Sequence, residues 1–306
     1  MFAHFLPSSV AEIQDAEAID LLQTIQRRTV EVPFQQGLTV LSTAYVHFAP
    51  QSSSPCRGTV PILLLHGFDS SLLEFRRLLP LLAGSGDVWA IDLFGSGFTE
   101  HPAAISVNPG SIRQHLLSIV ETWIGEPTIL VGASLGGAVA IDFALHHPSW
   151  VRSLALIDSV GFSGSFPIGQ FLPQGLIDLG ADWLYFRKRA ALAAASVLMV
   201  NPTLIDALRC SFLHQEMPGW KAAIASFTRS GGYSDLSDRI AQVTHPTLIL
   251  WGKADDVLGT ADATRWQRAI ADSQLIWIED AGHMPHFDQP RIVANHLLSF
   301  MQHINR

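Results

Sequence analysis

The sequence has little charge. Of its 306 residues, 15% are Asp, Glu, Lys or Arg, against about 25% in an ordinary soluble domain. The charge it carries leans acidic, with a formal net of −8, and no basic stripe is visible, which argues against nucleic acid as a partner. Cysteine is scarce too. Cys56 and Cys210 are the two, far apart and without metal or redox spacing, and are expected to be structural bystanders in a reducing compartment. No apolar run reaches the roughly 20 residues of a membrane span; the longest, Ala190–Val200, follows Arg187-Lys188-Arg189. Met1–Phe5 lacks the basic start of a secretory signal, and Ala11–Gln26 carries several acids, so a cytoplasmic location is expected. There is no internal repeat, no G-x-G-x-x-G opening a helix and no metal-ligand cluster, so neither cofactor nor metal is expected.

What fills the chain instead is apolar. Hydrophobic residues make up 48%, enough to exclude intrinsic disorder. Ser9–Arg27 is predicted as a helix, and Thr29–Pro33 with Thr39–Phe48 as an antiparallel strand pair. A polar loop follows at Gln51–Gly58. Strands and helices then alternate: Val60–Leu65, Leu72–Ala83, Val88–Asp92, Ser111–Ile124, Thr128–Val131, Leu135–His146 and Val151–Ile157. Strands such as Ile62-Leu63-Leu64-Leu65 are continuous apolar runs, the pattern of a parallel sheet buried on both faces. The alternation predicts βαβ units. It stops near Ser159. Residues 160–238 read as mostly helical, broken at Pro167, Pro173, Pro202 and Pro218. Alternation resumes at Pro246 through Ala261–Ile270, Leu275–Ile278 and Ile292–Ile304. The expected organisation is an α/β core of residues 1–158 and 239–306, interrupted by a helical cap of residues 159–238.

The strongest local signal is Gly132-Ala133-Ser134-Leu135-Gly136-Gly137, between the strand Ile129–Val131 and an Ala-rich helix. A sharp strand–turn–helix with small flanking residues pushes the serine hydroxyl out at the sheet's carboxyl edge. Ser134 is therefore the candidate nucleophile. A serine hydroxyl needs a base. Of the 13 histidines, His283 in Ala281-Gly282-His283-Met284-Pro285 directly follows a strand and would sit at the same edge. His286 is the alternative. The base needs a carboxylate to hold its tautomer. Asp255 follows the strand Thr247–Leu250, in the chain order Ser…acid…His; its neighbour Asp256 stays open. For an oxyanion, the backbone N–H of Leu135 and that of Phe68, in His66-Gly67-Phe68, are the candidate donors. His66 is read as bracing its loop, and Asp92–Gly97 as shaping the pocket floor.

Together these motifs resemble the α/β-hydrolase superfamily over nearly the whole chain. The resemblance implies an eight-stranded, mostly parallel sheet with helices on both faces, strand 2 antiparallel and a helical cap after strand 6. It also implies a triad of Ser134, His283 and Asp255. Val257-Leu258-Gly259 departs from relatives that carry a proline after the acid. Asp92-Leu93-Phe94-Gly95-Ser96-Gly97-Phe98, the lead-in Trp123–Pro127 and the apolar cap are similar to chlorophyll dephytylases, which cut the phytyl ester of chlorophyll into chlorophyllide and phytol. From Ser159 through Ile177 there is no charged residue. Phe162, Phe166, Phe171 and Leu172 lie there among Gly, Pro and Ser, and are the expected substrate contacts at a greasy mouth, the alternative being that they pack the cap onto the sheet. That mouth could also meet a membrane such as the thylakoid, with Arg187-Lys188-Arg189 near headgroups or simply solvated. The expected partner is thus a hydrophobic ester. The alternatives are a general carboxylesterase, a carbon–carbon bond hydrolase of ring-cleavage products, and a ligand-binding scaffold without turnover.

Overall fold

The computed structural model describes residues 1–49, 60–198 and 201–304. The expected loop Gln51–Gly58 and Cys56 lie outside them. Eight strands form one sheet: β1 (Gln26–Phe34), β2 (Gly37–Phe48), β3 (Ile62–Leu65), β4 (Val88–Ile91), β5 (Thr128–Ala133), β6 (Val151–Ile157), β7 (Thr247–Gly252) and β8 (Ser273–Ile278). Their spatial order is β1-β2-β4-β3-β5-β6-β7-β8. β2 pairs antiparallel with β1 and β4, and every pairing from β4 to β8 is parallel. The three central strands β3, β4 and β5 are buried at every position, which is why they read as unbroken apolar runs.

The helices are α1 (Ala16–Thr24), α2 (Leu79–Leu82), α3 (Pro109–Ile119), α4 (Leu135–His146), α5 (Gln174–Val197), α6 (Pro202–Phe212), α7 (Trp220–Arg229), α8 (Ala261–Ala269), α9 (Pro285–Asp288) and α10 (Pro290–Ile304). One core lies on the sheet face covered by α3, α4 and α8, with Leu116, Val139 and Trp266 fully inside. The other lies under α1 and α10, with Leu22, Val293 and Leu297 inside. α5, α6 and α7 fall between β6 and β7 and form the cap.

Two expected helices are broken. Ser9–Arg27 divides into a 3-10 turn at Ser8–Glu12 and α1. The Gln14 N–H donates to the Asp206 carboxylate (2.7 Å), and Asp15 caps α1 by accepting from the Ala18 N–H (3.1 Å). Gln26 and Arg27 then belong to β1. Leu72–Ala83 divides into a 3-10 turn at Leu72–Phe75 and the short α2. The Leu72 N–H is taken by the Asp92 carboxylate (2.6 Å), and Pro80 fits a first turn but not a helix interior.

The tightest packing lies where β5 meets α4. A Cβ on Gly136 would overlap the Leu65 carbonyl, and one on Gly132 would overlap the Gly136 carbonyl. These are backbone atoms and cannot rotate away, so the glycines let strand and helix approach. Gly136→Ala is expected to lose about 3 kcal/mol or more. Urea unfolding monitored by circular dichroism checks this, and an unchanged midpoint would show that the elbow yields.

Candidate active site

The site is built at the carboxyl edge of the parallel strands, where five chain segments turn together. Ser134 directly follows β5 with φ 50° and ψ −115°, a region that L-residues avoid at a cost of about 1–3 kcal/mol. Three backbone hydrogen bonds hold it there. Its N–H donates to the Ile157 carbonyl (2.9 Å), and its carbonyl accepts from Gly137 (3.1 Å) and Val160 (3.0 Å). The turn lifts the side chain off the sheet toward His283.

The His283 Nε2 lies 3.0 Å from the Ser134 hydroxyl oxygen, and its Nδ1 lies 3.0 Å from Asp255 Oδ2. The geometry is that of an Nδ1–H donating to the carboxylate while Nε2 accepts from the hydroxyl. The other oxygen, Asp255 Oδ1, accepts from the Val257 (2.9 Å) and Leu258 (3.1 Å) N–H groups. A proline at either position would lack that donor, which gives the departure noted in the sequence a structural use. Asp255 is buried and Asp256 is exposed. The structure therefore brings Ser134, His283 and Asp255 into one hydrogen-bonded chain and leaves Asp256 out.

The loop after β3 passes directly over Ser134, so close that a Cβ on Gly67 would sit 3.4 Å from Ser134 Cβ. Among the described residues, neither the Phe68 N–H nor the Leu135 N–H has an acceptor within the chain. Two free amides beside the hydroxyl are what a developing oxyanion requires. The loop is pinned from below. Gly67 N–H donates to both oxygens of Glu74 (3.2 and 3.1 Å), whose burial pushes its carboxyl up to about 7. His66 Nδ1–H donates to the Gly67 carbonyl (2.8 Å), and its Nε2 accepts from the Leu93 N–H (3.1 Å). Burial pulls His66 down to about 4, so it stays neutral and keeps this tautomer. His286, the alternative base, is buried 3.6 Å from Glu74 and has no contact with Ser134 in the chain above.

Sequence reasoning missed two carboxylates. Asp69 follows Phe68, has φ 49° and is buried. It accepts from His214 Nε2 (3.0 Å), Gln215 Nε2 (2.9 Å) and Trp220 Nε1 (3.0 Å), with the Lys188 ammonium at 2.9 Å. All four donors belong to the cap. Burial pushes the Asp69 carboxyl up, but His214 and Lys188 outweigh it and hold it at about 2. The cap is thus tied by one anion to the loop that carries Phe68. The second is Asp158, at the end of β6. It is fully buried and its Oδ1 accepts from the Gly252 N–H (3.0 Å). Burial, with Asp255 alongside, pushes it up to about 9, so it is a neutral acid.

Two chambers meet at Ser134. The larger, about 580 Å³, runs under the cap and is lined by Phe68, Leu135, Phe166, Leu172, Trp183 and Phe227, among others. None of the described residues lining it is charged. The smaller, about 270 Å³, lies on the side of His283, Glu74 and Cys210. Phe166 and Leu172 fall on the larger chamber as the sequence suggests. Phe162 and Phe171 do not, and this corrects the expectation for both. Phe162 packs edge-on against Trp266 with the Arg265 guanidinium 4.2 Å over its ring, and Phe171 points into solvent. The Asp92–Gly97 turn is likewise not the floor of either chamber. Its Asp92 carboxylate accepts from the Leu72 and Phe98 N–H groups (2.6 Å each) and ties two loops together. No group of three His, Cys, Asp or Glu side chains able to hold a metal occurs among the described residues.

Two consequences can be measured. Asp69→Ala leaves the Lys188 ammonium buried without its anion, a loss of about 3–5 kcal/mol; faster cleavage within the cap under limited proteolysis is the expected readout. Asp158 binds a proton in the folded chain up to about pH 9 and in the unfolded chain only below about 4. Its contribution therefore falls as pH rises across that window. Asp158→Asn removes this dependence, so its melting temperature should decline less than the wild type's between pH 7 and pH 9.

Comparison with known proteins agrees with this geometry. Residues 62–296 match the alpha/beta hydrolase family. Among curated proteins, the chain is 32% identical over 98% of its length, and 90% of the relative's, to the alpha/beta hydrolase domain-containing protein VTE7 of Arabidopsis thaliana. It is 29% identical over 76% of its length, and 85% of the relative's, to a 2-hydroxy-6-oxo-2,4-heptadienoate hydrolase of Pseudomonas putida. Among solved structures, an esterase from Thermogutta terrifontis superposes with a TM-score of 0.73 at 21% identity, covering 92% of this chain and 100% of that one, a likeness of fold. The chain belongs to the alpha/beta hydrolase family and is a hydrolase of that superfamily.

Proposed function

We propose that the chain is a serine ester hydrolase acting on a large hydrophobic ester, with the phytyl ester of chlorophyll as the substrate it fits best. The observation that carries this is the uncharged chamber of about 580 Å³ that opens onto Ser134. A chamber of that size and lining favours a long or branched hydrocarbon and offers nothing to a charged group. Phe166 and Leu172 are the side chains that would hold that hydrocarbon, with Phe68 and Leu135 closing the end nearest the serine.

In the proposed reaction, Ser134 Oγ attacks the ester carbonyl carbon while its proton passes to His283 Nε2. Asp255 stabilises the resulting imidazolium, and its two backbone donors keep the carboxylate facing Nδ1. The oxyanion is met by the Phe68 and Leu135 N–H groups. Collapse of the tetrahedral intermediate breaks the bond to the alcohol oxygen, which takes the proton from His283. Water then repeats the sequence on the acyl-serine and releases the acid.

A carbon–carbon bond hydrolase is the second reading, favoured by the similarity to the Pseudomonas putida dienoate hydrolase. Such a substrate is an anion, and the uncharged lining of the larger chamber counts against it.

Incubation of purified protein with detergent-solubilised chlorophyll, followed by chromatography, should yield chlorophyllide and phytol. Activity on short esters without chlorophyllide would overturn the phytyl ester and keep the ester hydrolase. Ser134→Ala should lower turnover by about 10⁴-fold or more and abolish labelling by a fluorophosphonate; an active Ser134→Ala protein would overturn the mechanism.

A further inference from the structure

α5 is the longest helix of the chain, 24 residues, or about 36 Å. One flank packs into the cap through Ile177, Ala181 and Ala195. The opposite flank is open to solvent and carries Leu176, Leu179, Trp183, Phe186, Ala190 and Val197. The four large residues among the first four repeat at intervals of three and four, so they form a single stripe. Each of those four is more than half exposed. The charged residue that stands in this open flank is Arg187. An ordinary solvated helix face is polar; this one is not, and nothing among the described residues covers it.

The basic triplet that precedes the Ala-rich half of α5 does not act as one patch. Lys188 turns inward to Asp69 and to the Ser211 carbonyl (3.0 Å). Arg189 stacks over Tyr185 at 3.5 Å and reaches Glu216. Arg187 remains on the open face, its guanidinium 4.7 Å from the Trp183 ring. An indole with a cation beside it is suited to the boundary between hydrocarbon and headgroup.

The stripe is also continuous with the substrate chamber. Leu176, Trp183 and Phe166 line that chamber, and all three are exposed on the outside. Ile168 and Phe171, on the turn just before α5, are exposed as well. Whatever covers this face therefore covers the way in to Ser134. No helix of the described residues is long and apolar enough to cross a membrane, so the face can lie on a bilayer but not span one.

We propose that the open flank of α5, from Leu176 to Val197, is a lipid-docking surface that seats the chamber mouth on a neutral bilayer. The occupant is lipid because the face opens into an uncharged chamber, so a hydrocarbon chain can pass from bilayer to Ser134 without crossing water. The bilayer is neutral because one arginine on the face, on a chain of net charge −8, gives no electrostatic attraction to anionic lipid. The choice of lipid surface rests in part on the proposed hydrophobic ester substrate; the docking itself is measured without any substrate.

The test is flotation of the whole 306-residue chain with phosphatidylcholine vesicles, at low salt and at about 0.5 M salt. Leu179→Glu and Phe186→Glu, neither of which lines the larger chamber, are compared with wild type. The expected result is co-flotation of the wild type at both salts, with each variant reduced about tenfold. Both variants should keep wild-type labelling by a fluorophosphonate and turnover of a water-soluble short ester. Failure of the wild type to float overturns the docking surface. So does flotation that requires anionic lipid and vanishes with salt, or variants that float like wild type. A concentration-dependent dimer in sedimentation, broken by the same variants, would assign the face to a second copy of the chain instead. If the wild type floats but cuts no hydrophobic ester, the docking surface stands and the substrate reading falls.

Discussion

Everything at the site depends on one strained residue. Ser134 sits at φ 50° because β5 must reverse into α4 within a single position, and it can do so because Gly132 and Gly136 allow backbone to touch backbone. The three hydrogen bonds to the Ser134 peptide come from β6, from α4 and from the start of the cap. Those bonds offset the strain, and they also fix where the neighbours lie. Ile157 is held at the end of β6, Val160 at the cap's first residues, and Leu65 is pressed against the helix start. The same contact that aims the hydroxyl therefore sets the height of the β3 loop above it, and with it the Phe68 amide.

The parallel sheet then does the rest by direction. Strands β3 to β8 all point the same way, so the residues that follow them gather at one edge. His66–Asp69, Ser134, Asp158, Asp255 and His283 come from five different strand ends. None of them needs a long side chain to meet its partner. The buried charge at this edge is unequal in kind. Asp69 is kept ionised by cationic and polar donors from the cap, whereas Asp158 is kept neutral by burial. Two carboxyls at the same edge thus serve opposite ends, one as an electrostatic tie and one as an uncharged acid beside Asp255.

Much of this was legible before any coordinates. The apolar runs announced buried strands, the glycines around Ser134 announced a tight elbow, and strand ends placed Asp255 and His283. These are local patterns, and local patterns survive in a sequence. Asp69 was not legible, because its partners Lys188 and Trp220 lie 119 and 151 residues away and nothing near it in the chain calls for them. Asp158 gave no signal in the sequence, since only its packing beside β7 deprives it of water. Phe162 and Phe171 failed for a related reason. In a Gly- and Pro-rich stretch there is no helical or strand period to say where a side chain points, so one aromatic turned into the core and another into solvent. The long helices of the N-terminal half failed for two reasons: Asp206 claims the Gln14 N–H that a continuous first helix would have used, and Pro80 starts a new turn instead of continuing the second.

The shortage of charge now has a physical address. Buried strands and the all-round apolar α4 absorb much of the hydrophobic excess, as any parallel sheet would. Three of the acidic side chains sit where they hold elements together: Asp92 between two loops, Glu74 under Gly67, Asp69 between core and cap. Lys188 projects from the packed flank of α5 to Asp69, and the exposed flank carries a single cation, Arg187, beside a row of Leu, Trp and Phe. The two flanks of α5 thus divide the work: the packed flank carries Lys188 and ties the cap to the loop above the serine, and the open flank carries the Leu, Trp and Phe side chains. A cap anchored by its cation presents hydrocarbon outward, and it does so at the mouth of the chamber that leads to Ser134.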